Sequence, residues 1–403
     1  MLTSLALIFL IGMAMAALSE KLGLPRIIGM LFAGILLGPY VFGWLDPTIL
    51  SVSAELRRMA LVIILLKAGL SLNLADLKRV GRPALLMAFV PATFELIAVV
   101  LFAPALLGIT RSEAAVLGAV LSAVSPAVVV PRMVHLIETR WGTEKSIPQM
   151  ILAGASLDDV FVVVLFSTFV GMEQGGAASA FDLLQVPVAI VFGIALGLLV
   201  GFLLARFFEA RAARGHAMRL SVKVLVVLGI AFLLLAAEDA LKGLLPLSGL
   251  LAVMSMACAL RGKLPAAVSA RLSAKFGKIW IAAEIVLFVL VGAAVDVRYT
   301  LAAGLPALCL LALSLAIRSL GVGLCMPGTP LSRKERLFCV FAYLPKATVQ
   351  AAIGSVPLAL GLPCGMTVLS VAVLAIVVTA PLGAFAIDRS YQKLLQHEDV
   401  CEG

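Results

Sequence analysis

Residues 153–171 read "AGASLDDVFVVVLFSTFVG", a run apolar enough to cross a bilayer except that Asp158 and Asp159 stand side by side within it. Both lie about twelve residues into their span, roughly 18 Å along a helix axis and so near its middle. A charge at that depth costs about 2.5–3.5 kcal/mol on insertion scales, so it normally faces a partner or a wet cavity. The competing account, two buried helix acids satisfied by Arg318 and Lys346, does not explain why two adjacent acids are placed there.

The rest of the chain has the same solvent in mind. Of its 403 residues 63% are hydrophobic and 13% charged, against roughly 45–50% and about 25% in soluble domains. Apolar stretches long enough to span about 30 Å of hydrocarbon recur from the first residues to Ile387. They leave no stretch for a soluble domain, and the expected class is an all-α polytopic membrane protein. Met1 to Leu18 lacks a basic n-region and runs straight into further apolar sequence, so it reads as a first span rather than a signal peptide. The six cysteines show no C-x-x-C spacing and read as packing residues. The net charge of +9 sits in short loops between spans, so no nucleic-acid partner is expected.

Hydropathy and breakers suggest thirteen spans, beginning near Thr3, Leu24, Leu56, Pro83, Glu113, Ile147, Leu183, Ser221, Leu247, Ile279, Leu301, Leu337 and Met366. With the N-terminus outside, 23 Lys and Arg fall on the cytoplasmic side and five outside, the asymmetry that topology rules require. A missed span would have mixed the two sets. The C-terminus is then cytoplasmic, and Lys67, Arg318 and Lys346 remain inside spans.

Two segments suggest an inverted repeat. "LSAVSPAVVVP" (121–131) and "AYLPKATVQAAIG" (342–354) each carry a proline among small polar residues, seven spans apart. Pro126 and Pro345 each remove a backbone donor, so both spans should be broken and the two breaks should cross. One span before each lies a charge, Glu95 and Arg318, 31 and 27 residues ahead of the proline. The chain therefore divides into 1–82 (scaffold, three spans), 83–172 (core, first half), 173–220 (connector), 221–298 (scaffold, three spans) and 299–403 (core, second half, with a short tail).

Adjacent helical residues point about 100° apart, so the two carboxylates cannot face one ligand equally. They should titrate as a coupled pair. A protonated carboxyl offers little to Na+, whereas an ionised one is a hard oxygen ligand, so proton and cation would exclude each other at one site. Unwound backbone would add carbonyls, and opposed half-helix ends would need neutralising, a role open to Lys346. Ser122, Ser125, Ser156 and Thr348 are candidate ion ligands, each with a backbone bond in its own helix as the plainer reading. Glu95 and Arg318 form a natural ion pair, and Glu284 or Asp296 is available to Lys346. Lys67 can snorkel and is assigned no role. "RGKLPAAVSARLSAKFGK" (261–278) reads as an orientation signal or an amphipathic helix, and His135 and His216 as weak pH-sensing candidates.

At "SPAVVVP" (125–131), "GASLDDVF" (154–161), "FVLVGAAVDV" (288–297), "IRSLG" (317–321) and "LPKATVQAAIG" (344–354), the chain resembles the monovalent cation:proton antiporter superfamily, most closely its NHA branch of Na+/H+ antiporters. The resemblance implies a thirteen-span fold with inverted repeats, a homodimer in a bacterial inner membrane, and a core domain that moves like an elevator past a dimerisation domain. It implies Na+ or Li+ and H+ as transported ions and no cofactor. By carry-over Asp159 is the principal ion- and proton-binding carboxylate and Asp158 its supporting neighbour. Many double-aspartate members carry lysine where this chain has Arg318, and arginine does not readily release a proton. That substitution weighs against an electrogenic scheme that uses a basic-residue proton and makes electroneutral exchange credible, with the sequence fixing neither stoichiometry. The alternatives are a Na+-coupled organic-anion symporter of the same fold, or K+/H+ antiport.

Overall fold

The computed structural model describes residues 1–71, 81–174, 180–215, 218–241, 247–296 and 304–397. In chain order its helices are α1 (Leu2–Lys21), α2 (Arg26–Leu37), α3 (Pro47–Ser51), α4 (Ser53–Ser71), α5 (Arg82–Leu107), α6 (Arg111–Ser122), α7 (Pro126–Glu138), α8 (Ile147–Gln174) and α9 (Ala180–Ala213). There follow α10 (Leu220–Leu241), α11 (Gly249–Lys263), α12 (Ala266–Ala293), α13 (Gly304–Leu324), α14 (Arg333–Ala342), α15 (Thr348–Gly354), α16 (Val356–Ala359) and α17 (Gly365–Leu394). Among the described residues, eight helices are by themselves long and apolar enough to cross a membrane. Others in the set fall short because a break divides them or because, like α2 with 12 residues and α11 with 15, they are brief.

The chain divides into two compact units. The first comprises Met1–Ser51, Leu74–Phe169 and Phe288–Gly403. In it α1 packs on α2, and α5 lies along both α6 and α13. Close approach there depends on glycine: a Cβ at Gly34 would meet the backbone of Val289, and one at Gly292 the backbone of Leu31. The second unit comprises Val52–Asn73 and Val170–Leu287. Its centre is the pair α9 and α11, where Gly193, Gly197 and Gly201 fall every fourth residue and face Ser248, Ala252 and Met256. Such a small-residue stripe lets two helices touch through their backbones, the packing device available where lipid removes the hydrophobic drive.

Two helix starts in the first unit carry the same reciprocal cap. Thr110 accepts from the Glu113 N–H while Glu113 accepts from the Thr110 N–H, and Ser332 and Glu335 repeat the arrangement. Each cap satisfies two of the four amides a helix N-terminus leaves orphaned. Both α6 and α14 then stop early. α6 ends at Ser122, residues 123–125 are extended, and Pro126 occupies the first turn of α7, where a missing N–H costs nothing. α14 ends at Ala342, and Pro345 lies within the non-helical stretch before Thr348. The two interruptions meet directly, the Ser125 N–H donating to the Pro345 carbonyl at 2.8 Å.

One segment differs from its expected bounds. The span placed at Ile279 begins at Ala266, so most of the basic stretch 261–278 is the first part of α12. Hydropathy marks where the apolar slab begins, whereas Ala, Lys, Arg and Ser after Pro265 sustain a helix well before it.

Candidate functional site

The site is assembled around the C-terminus of α6, all of it within the first unit. A helix end leaves four carbonyls without partners. Here every one is taken by a side chain. The Ala119 carbonyl accepts from Ser122 Oγ at 3.0 Å, Val120 from Gln350 Nε2 at 3.2 Å, and Leu121 from Lys346 Nζ at 2.5 Å. The Ser122 carbonyl accepts from Arg318 Nη1, and that of Ala123, the next residue, from Gln350 Nε2 at 2.8 Å. Two cations therefore stand where the partial negative charge of the half-helix would otherwise be bare.

Their counter-charge is Glu95. Arg318 Nη1 donates to its Oε2 at 2.7 Å, and Lys346 Nζ stands 2.8 Å from both carboxylate oxygens. All three side chains are buried. Ser314 Oγ reaches Glu95 Oε1 at 3.5 Å. Arg318 is fixed further by its Nε bond to the Tyr343 carbonyl at 2.9 Å and by that residue's ring, 5.6 Å from the guanidinium carbon. The partner of Lys346, for which Glu284 and Asp296 were also available, is thus Glu95. Glu284 lies on α12 in the second unit, within electrostatic reach of Lys67, whose ammonium sits 5.9 Å from the Trp280 ring centre. Asp296 follows the end of α12 and is half-buried.

The two aspartates of α8 have different surroundings. Asp158 is fully buried, and its Oδ2 accepts from the Val124 N–H at 2.7 Å, an amide that the first break frees from helical bonding. The same oxygen lies 3.4 Å from Arg318 Nη2. Asp159 is 6% exposed, and its Oδ1, like that of Asp158, is buried with no hydrogen-bond partner. Charge counting sharpens the contrast. Glu95 and Asp158 balance Arg318 and Lys346, which leaves Asp159 as an acid with no cation set against it among the described residues.

The hydroxyls divide likewise. Ser122 bonds to its own helix, whereas Ser125 Oγ and Thr348 Oγ1 are buried oxygens without a partner. Buried polar atoms are paired in the large majority of cases, so these two oxygens, with the Oδ1 atoms of Asp158 and Asp159, are candidate ligands for a cation. Each carbonyl at the end of α6 already accepts a hydrogen bond. The side chain of Ser156 and the whole of His216 lie outside the described residues. His135 is exposed near the end of α7.

Sequence reasoning missed Gln350, Tyr343 and Thr379, whose Oγ1 accepts the Lys346 N–H at 2.9 Å. Gln350 carried a readable signal, an amide inside an otherwise apolar half-helix. Thr379 carried none, because its role depends on which turn of α17 passes the second break.

This assembly can be set beside known proteins. A family model described as "Sodium/hydrogen exchanger, transmembrane" matches residues 5–389. The chain belongs to the sodium/hydrogen exchanger family. Within it, the human "Sodium/hydrogen exchanger 9B2" is 34% identical over 392 residues, which cover 93% of this chain and 70% of the relative. Human "Sodium/hydrogen exchanger 9B1" is 31% identical over 396 residues, covering 93% and 74%. The fold matches that of the sodium proton antiporter MjNhaP1 from Methanocaldococcus jannaschii at pH 8, with a TM-score of 0.82, 22% identity and 98% of each chain covered. These likenesses place the protein in the NHA-type branch of the monovalent cation:proton antiporter superfamily, a family of integral membrane proteins.

Proposed function

We propose that this family member is a secondary active antiporter that exchanges Na+ or Li+ for H+, with both competing for Asp159. The observation that carries the reading is the charge balance around Asp159: a buried acid beside a four-charge network that is neutral without it. A carboxylate so placed needs a positive charge, and a proton and a monovalent cation each supply one. Ser125 and Thr348 offer their free oxygens to the cation, and Asp158 holds the first break to α8. Arg318, always charged and committed to Glu95, is no proton carrier. With Asp159 as the shared site, one proton exchanges for one cation, an electroneutral exchange.

The sequence organisation supports thirteen spans in two inverted halves. Residues 83–172 and 299–403 form the moving core, with the crossing breaks at its centre. Residues 1–82 and 221–298 form the dimerisation scaffold and 173–220 the connector. The core moves as an elevator, exposing Asp159 to one side and then the other. The protein acts as a homodimer in a bacterial inner membrane, N-terminus outside and C-terminus cytoplasmic.

The test is Na+-driven proton movement in proteoliposomes. Asp159→Asn abolishes it while the protein still elutes as a folded species, and unchanged proton movement in that variant sinks the proposal.

A further inference from the structure

The peptide linking Ala123 to Val124 is held from both sides. Its N–H points to Asp158 Oδ2 at 2.7 Å, and its carbonyl points to Gln350 Nε2 at 2.8 Å. Gln350 is fully buried, and both its amide protons and its carbonyl oxygen are in use. Its second amide proton serves the Val120 carbonyl at 3.2 Å, and its Oε1 accepts the Ala347 N–H at 2.8 Å. One neutral side chain thus ties the end of α6 to the start of α15.

The orientation of that peptide has a consequence for ion binding. In a peptide unit the N–H and C=O point in opposite directions, so the bond to Gln350 turns the Ala123 carbonyl away from Asp158. A side chain at 350 that could not donate would release it. The freed peptide could then rotate, giving up its amide bond to Asp158 and presenting a carbonyl oxygen there instead. Selectivity among cations depends on how many oxygens surround the ion and how rigidly they are held, and carbonyl dipoles in particular suit the larger K+.

We propose that Gln350 is a positioning residue for ion selectivity: it withholds the Ala123 carbonyl from the cation site, which keeps the shell small and sparing in oxygen. The inference rests on the reading of Asp159 as the ion site. Lys346 and Arg318 cap neighbouring carbonyls but are also bound to Glu95, so Gln350 is the cap whose removal leaves the charge balance untouched.

The experiment compares the parent with Gln350→Met and Gln350→Leu, each of which removes both donors without adding charge. Proteoliposome exchange is measured against Na+, Li+ and K+, and KM and kcat are fitted separately. The ratio of KM for K+ to KM for Na+ falls about tenfold in each variant, the scale of one hydrogen bond to a charged group, while kcat for Na+ changes less. A parent that exchanges no Na+ for H+ overturns the proposed function. A working parent whose variants keep its KM ratio, with all rates reduced alike, overturns the role of Gln350 alone. If Gln350→Met does not reach the membrane, the same ratio read in Gln350→Leu decides.

Discussion

Glu95→Gln removes the carboxylate on which two buried cations meet. Arg318 Nη1 and Lys346 Nζ both bond Glu95 Oε2, at 2.7 and 2.8 Å, so they are no more than about 5.5 Å apart. With an effective dielectric constant near 20, two unit charges at that separation repel by about 3 kcal/mol. Removing one member of a buried pair typically costs about 3–5 kcal/mol, so the two routes to the magnitude agree. At about 2.1 cal/mol/K of unfolding entropy per residue, the 403-residue chain has roughly 0.85 kcal/mol per degree, and the midpoint should fall by about 4–6 °C. The assay is thermal unfolding in detergent, followed by the fraction of protein that still elutes as a folded species. Adding Lys346→Met to Glu95→Gln removes one of the two opposed cations and leaves Arg318 facing Asp158, so the double variant should recover at least half of the loss. A single variant as stable as the parent, or a double variant that loses the sum of both singles, refutes the charge-network reasoning.

Further predictions concern the cap of α14 and the contact between the two breaks. Burial alone would raise the Glu335 carboxyl, but the Ser332 N–H at 2.6 Å and Lys145 at 3.0 Å from each oxygen outweigh it and hold the group below its ordinary range. A depressed folded-state value gives stability that is present above the unfolded value of about 4.3 and lost as pH falls through the folded one. Glu335→Gln should therefore cost about 1.5–3 kcal/mol near neutral pH, and the difference in unfolding midpoint should shrink below about pH 4; a difference independent of pH contradicts this. At Gly383 on α17 an added Cβ would run into the Pro345 ring. Gly383→Ala should cost about 1–3 kcal/mol and slow exchange, because the Pro345 carbonyl holds the Ser125 N–H; unchanged midpoint and rate contradict it.

Much of this site was written in local pattern. Two prolines flanked by small polar residues marked the places where helices stop, and an aspartate pair in an apolar run marked the acids. What the pattern could not carry was angular and long-range. Asp158 and Asp159 differ only in which way they point on α8, and that is decided by where the Val124 amide arrives from a different segment. The partner of Lys346 was undetermined for the same reason, since Glu95 lies 251 residues away in sequence and reaches it only through the packing of α5 and the breaks. The carbonyls of the first break were expected to be open to a cation. Those of residues 120–123 already accept from Gln350, Lys346 or Arg318, a convergence no single segment encodes. The early start of α12 was hidden because its first turns are polar, and helix formation there follows from propensity rather than from hydropathy.

The central claim is that one carboxylate serves both ions. Its most direct test is the apparent KM for Na+ measured in proteoliposomes across pH, with the membrane potential clamped. Competition at Asp159 predicts that KM rises about tenfold per pH unit on the acid side while the maximal rate stays constant and the clamp has no effect. A KM independent of pH, with protonation acting only on the maximal rate, would contradict a shared site.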